Sequence, residues 1–469
     1  MSEASYYLYK KQFSYDGTNW FDVQPLTYSY DGDGTMQPVV NTYHDEDCKD
    51  NVDYSTQYLT IESLEDNNTI SWITNNTSFA KTISASTDNG STWAAYTSST
   101  TGNGTTLATL NTGDKLLLKG ENASYAGSAG SIYNKFYATK QYNVYGNIMS
   151  LVSGDTFEDA DALTGNYTFH SMFNGSTTLV SAENLILPAV TLTMYCYASM
   201  FRGCTSLVNV PQLPATTLAA YCYMYMFRDC SSLVNAPALP ALSLANYCYC
   251  NMFDGCSSLA VAPTLPAMTL ANSCYMYMFA NCTSLVNAPQ LPAMTLANDC
   301  YAHMFDQCYN LTTASELPAT TLAHNCYGSM YSSCRKLTTP PSILPATTLA
   351  NYCYSFMFSQ CARLATAPTL PATTLANNCY SYMFQSCRLA TAPELPATTL
   401  VDYCYRSMFQ NCSSLNYIKC MATNISATDC TTNWVKSTYS SGTFVKNAAM
   451  SDWSTGTSGI PSGWTVQNA

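Results

Sequence analysis

The stretch LPATTLAAYCYMYMFRDCSSLVNAPA, residues 213–238, decides the fold of this chain because it recurs nine times with small changes. The Leu-Pro pair that opens each copy returns every 26 residues, with one step of 27 and one of 25, at Leu187, Leu213, Leu239, Leu265, Leu291, Leu317, Leu344, Leu370 and Leu395. Self-similarity at a fixed period of this length predicts a solenoid, in which each copy forms one coil and stacks on the next.

Four positions of the copy keep nearly the same residue throughout. They are a Leu (Leu192 to Leu400), a Cys before Tyr (Cys196 to Cys404), a Met before an aromatic residue (Met200 to Met408) and a second Cys (Cys204 to Cys412). Residues at one phase of a coil stack on their counterparts in the next coil, so we predict an interior lined by columns of Leu, Met, Phe and Cys. Each buried Leu contributes about 1.5–3 kcal/mol.

Each copy has room for one brief strand and one helical turn. The segment 230–237 is short and ends at a proline, which limits it to a brief strand. The segment 217–227 lacks Gly and Pro, and we predict a short helix or 3₁₀ turn there. One short strand and one helical turn in 20–29 residues is the plan of leucine-rich repeats.

The repeat core Met-Phe-x-x-Cys-x-Ser-Leu, as in residues 200–207, resembles the BspA-like leucine-rich repeats of bacterial surface proteins and their phage relatives. The resemblance covers about residues 165–420, more than half of the chain. The period of 26 residues and the Leu-Pro-Ala corner depart from the shorter repeat usual in that family. The resemblance implies a solenoid that presents a surface to a partner. The longer period and the Leu-Pro-Ala corner affect the expected shape of each coil, not the expectation of a solenoid.

The ends of the array differ from its middle, as a solenoid with apolar end faces requires. Residues 167–173 match the Met-Phe core, but Ser176 replaces the second Cys, so we predict a degenerate capping repeat over 151–186. The nine repeats then occupy 187–416. A divergent tail with Trp434, Phe444, Trp453 and Trp464 predicts a C-terminal cap over 417–469.

Residues 51–150 alternate apolar and polar side chains in short runs, as in 58–62 and 115–119, which predicts a β-sandwich-like domain. Within it, residues 86–93 match the Asp-box hairpin S-x-D-x-G-x-T-W, whose Asp and Asn-Gly set a turn. Residues 1–50 are predicted to be an attachment segment and an acidic linker. Their general pattern resembles N-terminal pieces of fibre and appendage proteins from phages that infect gut Bacteroides, including crAss-like phages.

The predicted fold class is therefore mostly β with short helical turns: an N-terminal β-sandwich-like domain followed by a leucine-rich-repeat-type solenoid of nine repeats with caps. The charge composition argues against two classes of partner. A net charge of −12 without a Lys/Arg cluster argues against nucleic acid and anionic membranes. No run of 18 apolar residues and no signal-peptide pattern at the start occur, so we expect no membrane insertion. Folding in the cytosol is favoured over an export signal that has been removed.

The sequence offers little for catalysis. Eighteen of the 22 cysteines form the two ladders, and Cys48, Cys250, Cys420 and Cys430 lie outside them. We favour reduced ladders over a disulfide scaffold, and we expect no metal or other cofactor because no paired Cys-x₂₋₄-Cys motif occurs. Residues 31–34 resemble the start of a calcium loop but lack its later ligands. His170, His303 and His324 fall at variable repeat positions and are predicted to lie on the surface.

What remains is a surface of variable repeat positions, the usual binding surface of repeat arrays. Three positions vary in each copy: the residue before the Cys of the Cys-Tyr pair and the two residues after that pair. Tyr is common at these positions. The predicted binding residues are Tyr195, Tyr221, Tyr225, Tyr247, Tyr277, His303, Tyr352, Tyr382 and Tyr403. Tyr offers rigid contact area with a polar tip, which suits glycans or protein surfaces; the alternative is that these rings only cover the outside of the coils.

These observations favour a non-enzymatic virion protein of the head or tail. It would be held by other virion proteins through its N-terminal region, and its solenoid would be directed at a host protein or glycan. A homotrimer is the oligomeric state that we consider. The alternative is a bacterial cell-surface adhesin of the BspA-like type, expressed without its signal peptide. A glycan-degrading enzyme is a distant third, suggested only by the Asp-box.

Overall fold

The computed structural model describes residues 53–127, 131–451 and 453–469, together with four short strands in the first fifty residues. The chain divides into two compact units, Met1–Asp53 and Tyr54–Ala469. In the first unit, β1 (Phe13–Ser14) pairs antiparallel with β2 (Trp20–Phe21), and β3 (Thr27–Tyr30) pairs antiparallel with β4 (Met36–Val39). The calcium-like residues 31–34, His44 and Cys48 lie outside the described residues.

The second unit begins with two antiparallel sheets. Their eight strands are β5 (Leu59–Ser63), β6 (Asn68–Thr74), β7 (Thr82–Ser86), β8 (Ala94–Thr97), β9 (Thr105–Leu110), β10 (Lys115–Lys119), β11 (Asn134–Ala138) and β12 (Tyr142–Asn147). One sheet has the order β12-β5-β10-β7-β8 and the other β11-β6-β9. Helix α1 (Ser150–Ser153) and 3₁₀ turns at Tyr54–Thr56, Thr77–Phe79 and Gly154–Thr156 are the helical segments.

Apolar side chains from both sheets meet in one hydrophobic core. Leu116 and Leu118 are buried and alternate with Lys115, Leu117 and Lys119 along β10, so one face of that strand enters the core and the other is more exposed. Trp72 of the second sheet is fully buried against Tyr125 and Phe136. The same core continues without interruption into the coils.

The sheet also continues into the first coil. Strands β13 (Leu179–Ser181) and β14 (Leu185–Ile186) both pair parallel with β12. Ser176, which stands where later coils have their second ladder Cys, is buried and lies within hydrogen-bond distance of the Tyr142 hydroxyl, 2.9 Å away. The first coil therefore attaches directly to the sheet that precedes it.

Each later coil contains a ribbon of consecutive turns. In the coil of residues 213–238, the N–H groups of Met224 and Met226 donate to the carbonyls three residues back, at 3.2 and 3.1 Å. The N–H groups of the residues between them, Tyr223 and Tyr225, donate instead to Cys248 and Cys250 of the next coil, at 3.0 and 3.1 Å. Alternate N–H groups thus close a turn and join the coils.

This ribbon requires a left-handed residue at every fourth position. In the same coil Tyr221, Tyr225 and Asp229 have φ of 61°, 60° and 61°. Side chains therefore alternate in pairs: Cys222 and Tyr223 point inward, the next two residues outward, and Met226 and Phe227 inward again. Left-handed backbone costs about 1–2 kcal/mol for residues other than Gly, so the hydrogen bonds and burial of the stacked coils must offset it.

The helix or 3₁₀ turn predicted over 217–227 is wrong. No residue of 187–416, all of which the structure describes, is helical. A helix would satisfy its N–H groups internally and leave none for the neighbouring coil, whereas the ribbon divides them between the two. The brief strand predicted in each coil is reduced to single parallel bridges, such as Asn235 with Val261 and Asn287 with Thr313.

The predicted interior columns of Leu, Met, Phe and Cys are confirmed, since these side chains are almost all buried. The structure adds a column that the sequence analysis did not place inside, formed by the Tyr that follows each first-ladder Cys. From Tyr197 to Tyr405 its rings stack on one another at centroid distances of 5.7–6.1 Å. The core is therefore more aromatic than the leucine pattern alone indicates.

Aromatic residues close both ends of these columns. At one end Phe136 stacks on Phe173 and Tyr125 on Phe169. At the other end the Trp434 ring contacts the last ring of both aromatic columns. It also stacks on the Trp453 ring, with 5.5 Å between the ring centroids. A parallel sheet follows, formed by β15 (Tyr417–Cys420), β16 (Thr443–Lys446) and β17 (Thr465–Asn468).

Candidate binding surface

The nine predicted binding residues all occupy left-handed positions of the ribbon, with φ between 56° and 61°. Tyr195, Tyr221, Tyr247, Tyr352 and Tyr403 immediately precede the first-ladder Cys and form a first column. Tyr225, Tyr277, His303 and Tyr382 stand four residues further on and form a second column. All nine are partly or well exposed. The turn geometry thus brings them together as two neighbouring columns, which we call the outward strip.

Many of the ring faces in the strip are covered by an aromatic ring of the neighbouring coil. Tyr167, Tyr195, Tyr221 and Tyr247 form a continuous stack with centroid distances of 4.7, 4.4 and 4.8 Å and nearly parallel planes. Burial, followed by the neighbouring tyrosines, raises the pKa of Tyr195 to about 12. A partner at this stack meets ring edges and hydroxyl groups, because the faces of the inner rings are covered.

The second column is less regular. Tyr277 stacks on His303 at 4.3 Å, and Phe356 stacks on Tyr382 at 4.4 Å. Asn251 stands before the first pair and Ser329 stands between the two pairs, and both also have left-handed backbone. Ring faces at the ends of the short stacks are therefore not covered by another ring in the column. Whether the strip binds anything stays a prediction.

Sequence reasoning did not identify the charged residues that lie beside the strip. The guanidinium of Arg228 lies 5.4 Å from the Tyr225 ring, and its Nε is 3.2 Å from a carboxylate oxygen of Asp254, which is 5% exposed. Asn251 and Asn281 donate to the same carboxylate at 3.1 and 2.9 Å. The sequence does contain a signal for these charged residues. The two residues before each second-ladder Cys also vary from copy to copy, and they form the next outward pair.

The structure separates the three repeat histidines. His303 belongs to the strip, with its Nδ1 3.6 Å from Asp306, and His324 is exposed. His170 was predicted to lie on the surface, and that is wrong: it is 6% exposed. Its burial lowers the pKa of the imidazole to about 4, so His170 is neutral at pH 7. The equivalent position is also buried in several later coils, at Ala198, Cys250, Ala302, Ser355 and Ser381.

The Asp-box forms a hydrogen-bonded turn. Asp88 accepts from the Thr92 amide at 2.9 Å and from the hydroxyls of Thr92 and Ser86 at 2.6 and 2.7 Å. These bonds lower the pKa of Asp88 to about 2. Trp93 lies at the end of the hairpin, 5.0 Å from Tyr58 and 4.3 Å from the ammonium group of Lys119. The carboxylate is fully engaged in holding the turn.

The 21 described cysteines are buried and unpaired. In the second ladder each thiol donates to the carbonyl of an aromatic residue in the preceding coil; for example, Cys256 bonds Phe227 and Cys282 bonds Phe253, both at 3.1 Å. Burial raises the pKa of these thiols well above the usual value. Protonated sulfur is thus part of the hydrogen bonding between coils.

Among the described residues, no group of three or more His, Cys, Asp or Glu side chains is arranged to hold a metal ion. The helices of the described part of the chain are also too short to cross a membrane.

Stacked coils of about 26 residues, joined by parallel bridges around columns of buried leucine, define a leucine-rich-repeat protein. The chain matches the BspA-type leucine-rich repeat region in six copies, over residues 173–312 and 329–433. This match covers more than half of the chain, which therefore belongs to the BspA-type leucine-rich repeat family. The resemblance inferred from the Met-Phe-x-x-Cys core is thereby confirmed at the level of the repeat family.

Among solved structures, the chain is similar to a leucine-rich repeat protein from Bacteroides ovatus. The two are 14% identical, the similarity covers 63% of this chain and 85% of the other, and the TM-score is 0.25. No curated protein sequence matches the chain.

Proposed function

We propose that this protein is a non-enzymatic attachment protein whose solenoid presents the outward strip to a protein or glycan on a host surface. One observation carries the proposal: within each coil the inward pairs are nearly constant and the outward pairs vary. Tyr221, Asp299 and Asn325 occupy the same column with φ of 61°, 55° and 51°. The scaffold therefore tolerates different surface residues, as recognition by a repeat array requires.

The proposal assigns a role to each part of the chain. The nine coils of 187–416 form one continuous presenting solenoid, and the two sheets of 59–147 form a sandwich-like module that closes its first end. Residues 1–50 attach the protein to other components of its assembly. A homotrimer would present three strips and raise the effective affinity for a repeated receptor.

The proposed setting is the virion, where the protein would be a head or tail component. The buried, protonated thiols support it, because a chain with so many free cysteines folds most safely in a reducing compartment, and virion proteins are made there. A bacterial cell-surface adhesin is the alternative, and membership of the BspA-type family favours it.

Attachment is tested with a triple variant, Tyr352→Asn, Tyr382→Asn and Tyr403→Asn. Asn already occupies these two columns at Asn251 and Asn378, so the backbone is preserved. We expect labelled variant protein to lose at least about tenfold in affinity for host cells, the effect of removing one to two hot-spot contacts.

The matched control is Leu242→Asn, Met268→Asn and Met294→Asn, three well-exposed apolar residues from another part of the coil. It should bind like the parent protein. Unchanged binding by the strip variant, or a loss confined to the control, would contradict the assignment of the strip.

The setting is tested by mass spectrometry of purified virions and of bacterial cell-surface fractions. Peptides from both the strands near residues 20–40 and the coils should appear in intact virions. Detection only at the bacterial surface would establish the adhesin instead.

A further inference from the structure

A cleft of about 400 Å³ opens where the segment before β11 meets the first coils. Tyr133 lines it from one side, Asn174 and Ser171 from the first coil, and Ser199 and Arg202 from the second. Tyr225 of the third coil closes the far end. Binding sites for small ligands have volumes of about 300–1,000 Å³, so the cleft is large enough for one or two sugar units.

The charge in this cleft is uncompensated. Arg202 makes no ion pair with any described residue, although one coil further on Arg228 is paired with Asp254. No Asp or Glu lines the cleft, in a chain whose net charge is −12. The Arg202 guanidinium lies 5.6 Å from the Tyr225 ring, which holds it at the cleft wall. A planar guanidinium with free donors is suited to a carboxylate.

A second cation stands close by. The Lys135 ammonium donates to the Asn174 carbonyl at 2.8 Å, and its burial lowers the pKa of the lysine. His170, which also lines the cleft, is neutral at pH 7 for the reason given above. Arg202 is thus the charged side chain that a ligand in the cleft meets directly.

Much of the rest of the lining consists of hydroxyl and amide groups, and Met224 is its aliphatic member. Ser171, Ser199 and Asn174 face the cleft together with the Tyr133 ring. Tyr195 also lines it, but both faces of its ring are covered by Tyr167 and Tyr221. A ligand here is therefore held by hydrogen bonds and by one ionic contact, with little stacking on ring faces. That combination fits a polyhydroxylated anion.

We infer that this cleft binds a carboxylate-bearing sugar unit of an acidic glycan, with Arg202 contacting the carboxylate. The inference deepens the proposed attachment function and rests on it for its biological meaning. It places the acidic-sugar site at the start of the solenoid, next to the sheets, and leaves the coils beyond it to other contacts.

The test is calorimetric titration of the full chain with trigalacturonic acid and with its trimethyl ester, which has the same shape without the charge. We expect the acid to bind, and we expect the ester to bind at least about tenfold more weakly, because the ester cannot form the charge-assisted hydrogen bond with Arg202. Arg202→Gln should weaken binding of the acid to the same extent. Arg335→Gln is the control: this exposed arginine also lies near a ring, Tyr309, at 4.9 Å, but far along the array.

No binding of the acid, equal binding of acid and ester, or full binding by Arg202→Gln with a parent-like melting temperature would overturn the inference. Equally tight binding of an acidic peptide or inorganic phosphate would also overturn it, since the cleft would then recognise charge alone. Failure here would leave intact the cell-binding result for the variants at Tyr352, Tyr382 and Tyr403, which tests the attachment function separately.

Discussion

The Tyr331 hydroxyl lies 3.1 Å from the Ser315 hydroxyl and accepts the Ser315 amide at 3.3 Å in the buried core. Both residues are exceptions to the repeat. Tyr331 stands in the column that carries Phe in the other coils from Phe201 to Phe409. Ser315 occupies a position that is proline in seven of the eight other copies: Pro211, Pro237, Pro263, Pro289, Pro341, Pro368 and Pro393. The extra hydroxyl is therefore matched by an amide donor that proline lacks.

This pairing predicts a strongly non-additive double-mutant cycle. Tyr331→Phe leaves the buried Ser315 groups without a partner, and Ser315→Pro leaves the Tyr331 hydroxyl without one. Each single change should cost about 1–3 kcal/mol, the usual penalty for an unsatisfied buried group. The double variant restores the common repeat and should be close to the parent protein. Thermal unfolding of all four proteins measures the coupling, and additive effects would contradict it.

The two cysteine ladders should differ in their contribution to stability. In one coil, Cys274 and Cys282 are both fully buried, but only the Cys282 thiol has a described hydrogen bond, to the Phe253 carbonyl at 3.1 Å. Changing either residue to Ala removes the same volume. Cys282→Ala should therefore lower the free energy of unfolding by about 1 kcal/mol more than Cys274→Ala. Equal losses in urea unfolding would show that the thiol hydrogen bonds contribute nothing.

Native thiols should react slowly. Burial raises the pKa of Cys196, Cys274 and Cys379 to about 12. At pH 8 only about one such thiol in 10⁴ is ionised, against roughly a quarter of free cysteine, and the thiolate is the reactive form. Brief iodoacetamide treatment followed by mass spectrometry should leave these residues unlabelled in the native protein and label them in urea. Fast native labelling would contradict the buried, protonated ladders.

The same shifts predict unfolding at alkaline pH. The folded-state pKa of these thiols lies above the unfolded value near 8.5, so the folded protein binds more protons than the unfolded one between them. Their stabilising contribution is fully present below about pH 8.5 and is lost as the pH rises through about 12. Melting temperatures measured from pH 7 to 11 should fall progressively. A constant melting temperature above pH 9 would contradict this linkage.

The left-handed positions should reject β-branched residues. Ser333 has φ of 60°, whereas the neighbouring Ser332 is not left-handed, and both are half-buried in the same outward pair. Ser333→Ile should destabilise the protein by about 1–3 kcal/mol more than Ser332→Ile, because a β-branched side chain clashes with the backbone in this conformation. Unfolding midpoints of the two variants give the comparison. Similar midpoints would mean that the ribbon relaxes easily at this position.

Sequence reasoning predicted the interior well and the coil backbone poorly. The Leu, Met and Cys columns followed from phase alone, because any residue repeated at one phase of a stacked coil meets its counterparts. The helix predicted at 217–227 is wrong, because the absence of Gly and Pro does not by itself indicate a helix. A period of four, with two residues inward and two outward, is present there but matches neither the helical nor the strand period.

For the binding residues too, the sequence predicted which positions face outward but not how their side chains pack. Variation after each Cys-Tyr identified Tyr225 and Tyr277 as outward residues, and the structure agrees. Their use was not predictable in detail: the stacking of Tyr195 on Tyr221 covers ring faces that sequence reasoning had left available. His170 occupies a position whose burial differs from coil to coil: Ala302 is buried there and Met224 is half-buried, and the repeat pattern does not distinguish the two cases.

By itself, the sequence determined the period, the inward columns and the variable outward positions, since these depend only on which residues recur at one phase. The tertiary structure decided the rest. Left-handed residues such as Tyr225 and His303 are held in place by N–H groups that bond to the next coil, and that partner lies about 25 residues away along the chain. Local preference disfavours this backbone, so only the stacked coils could select it.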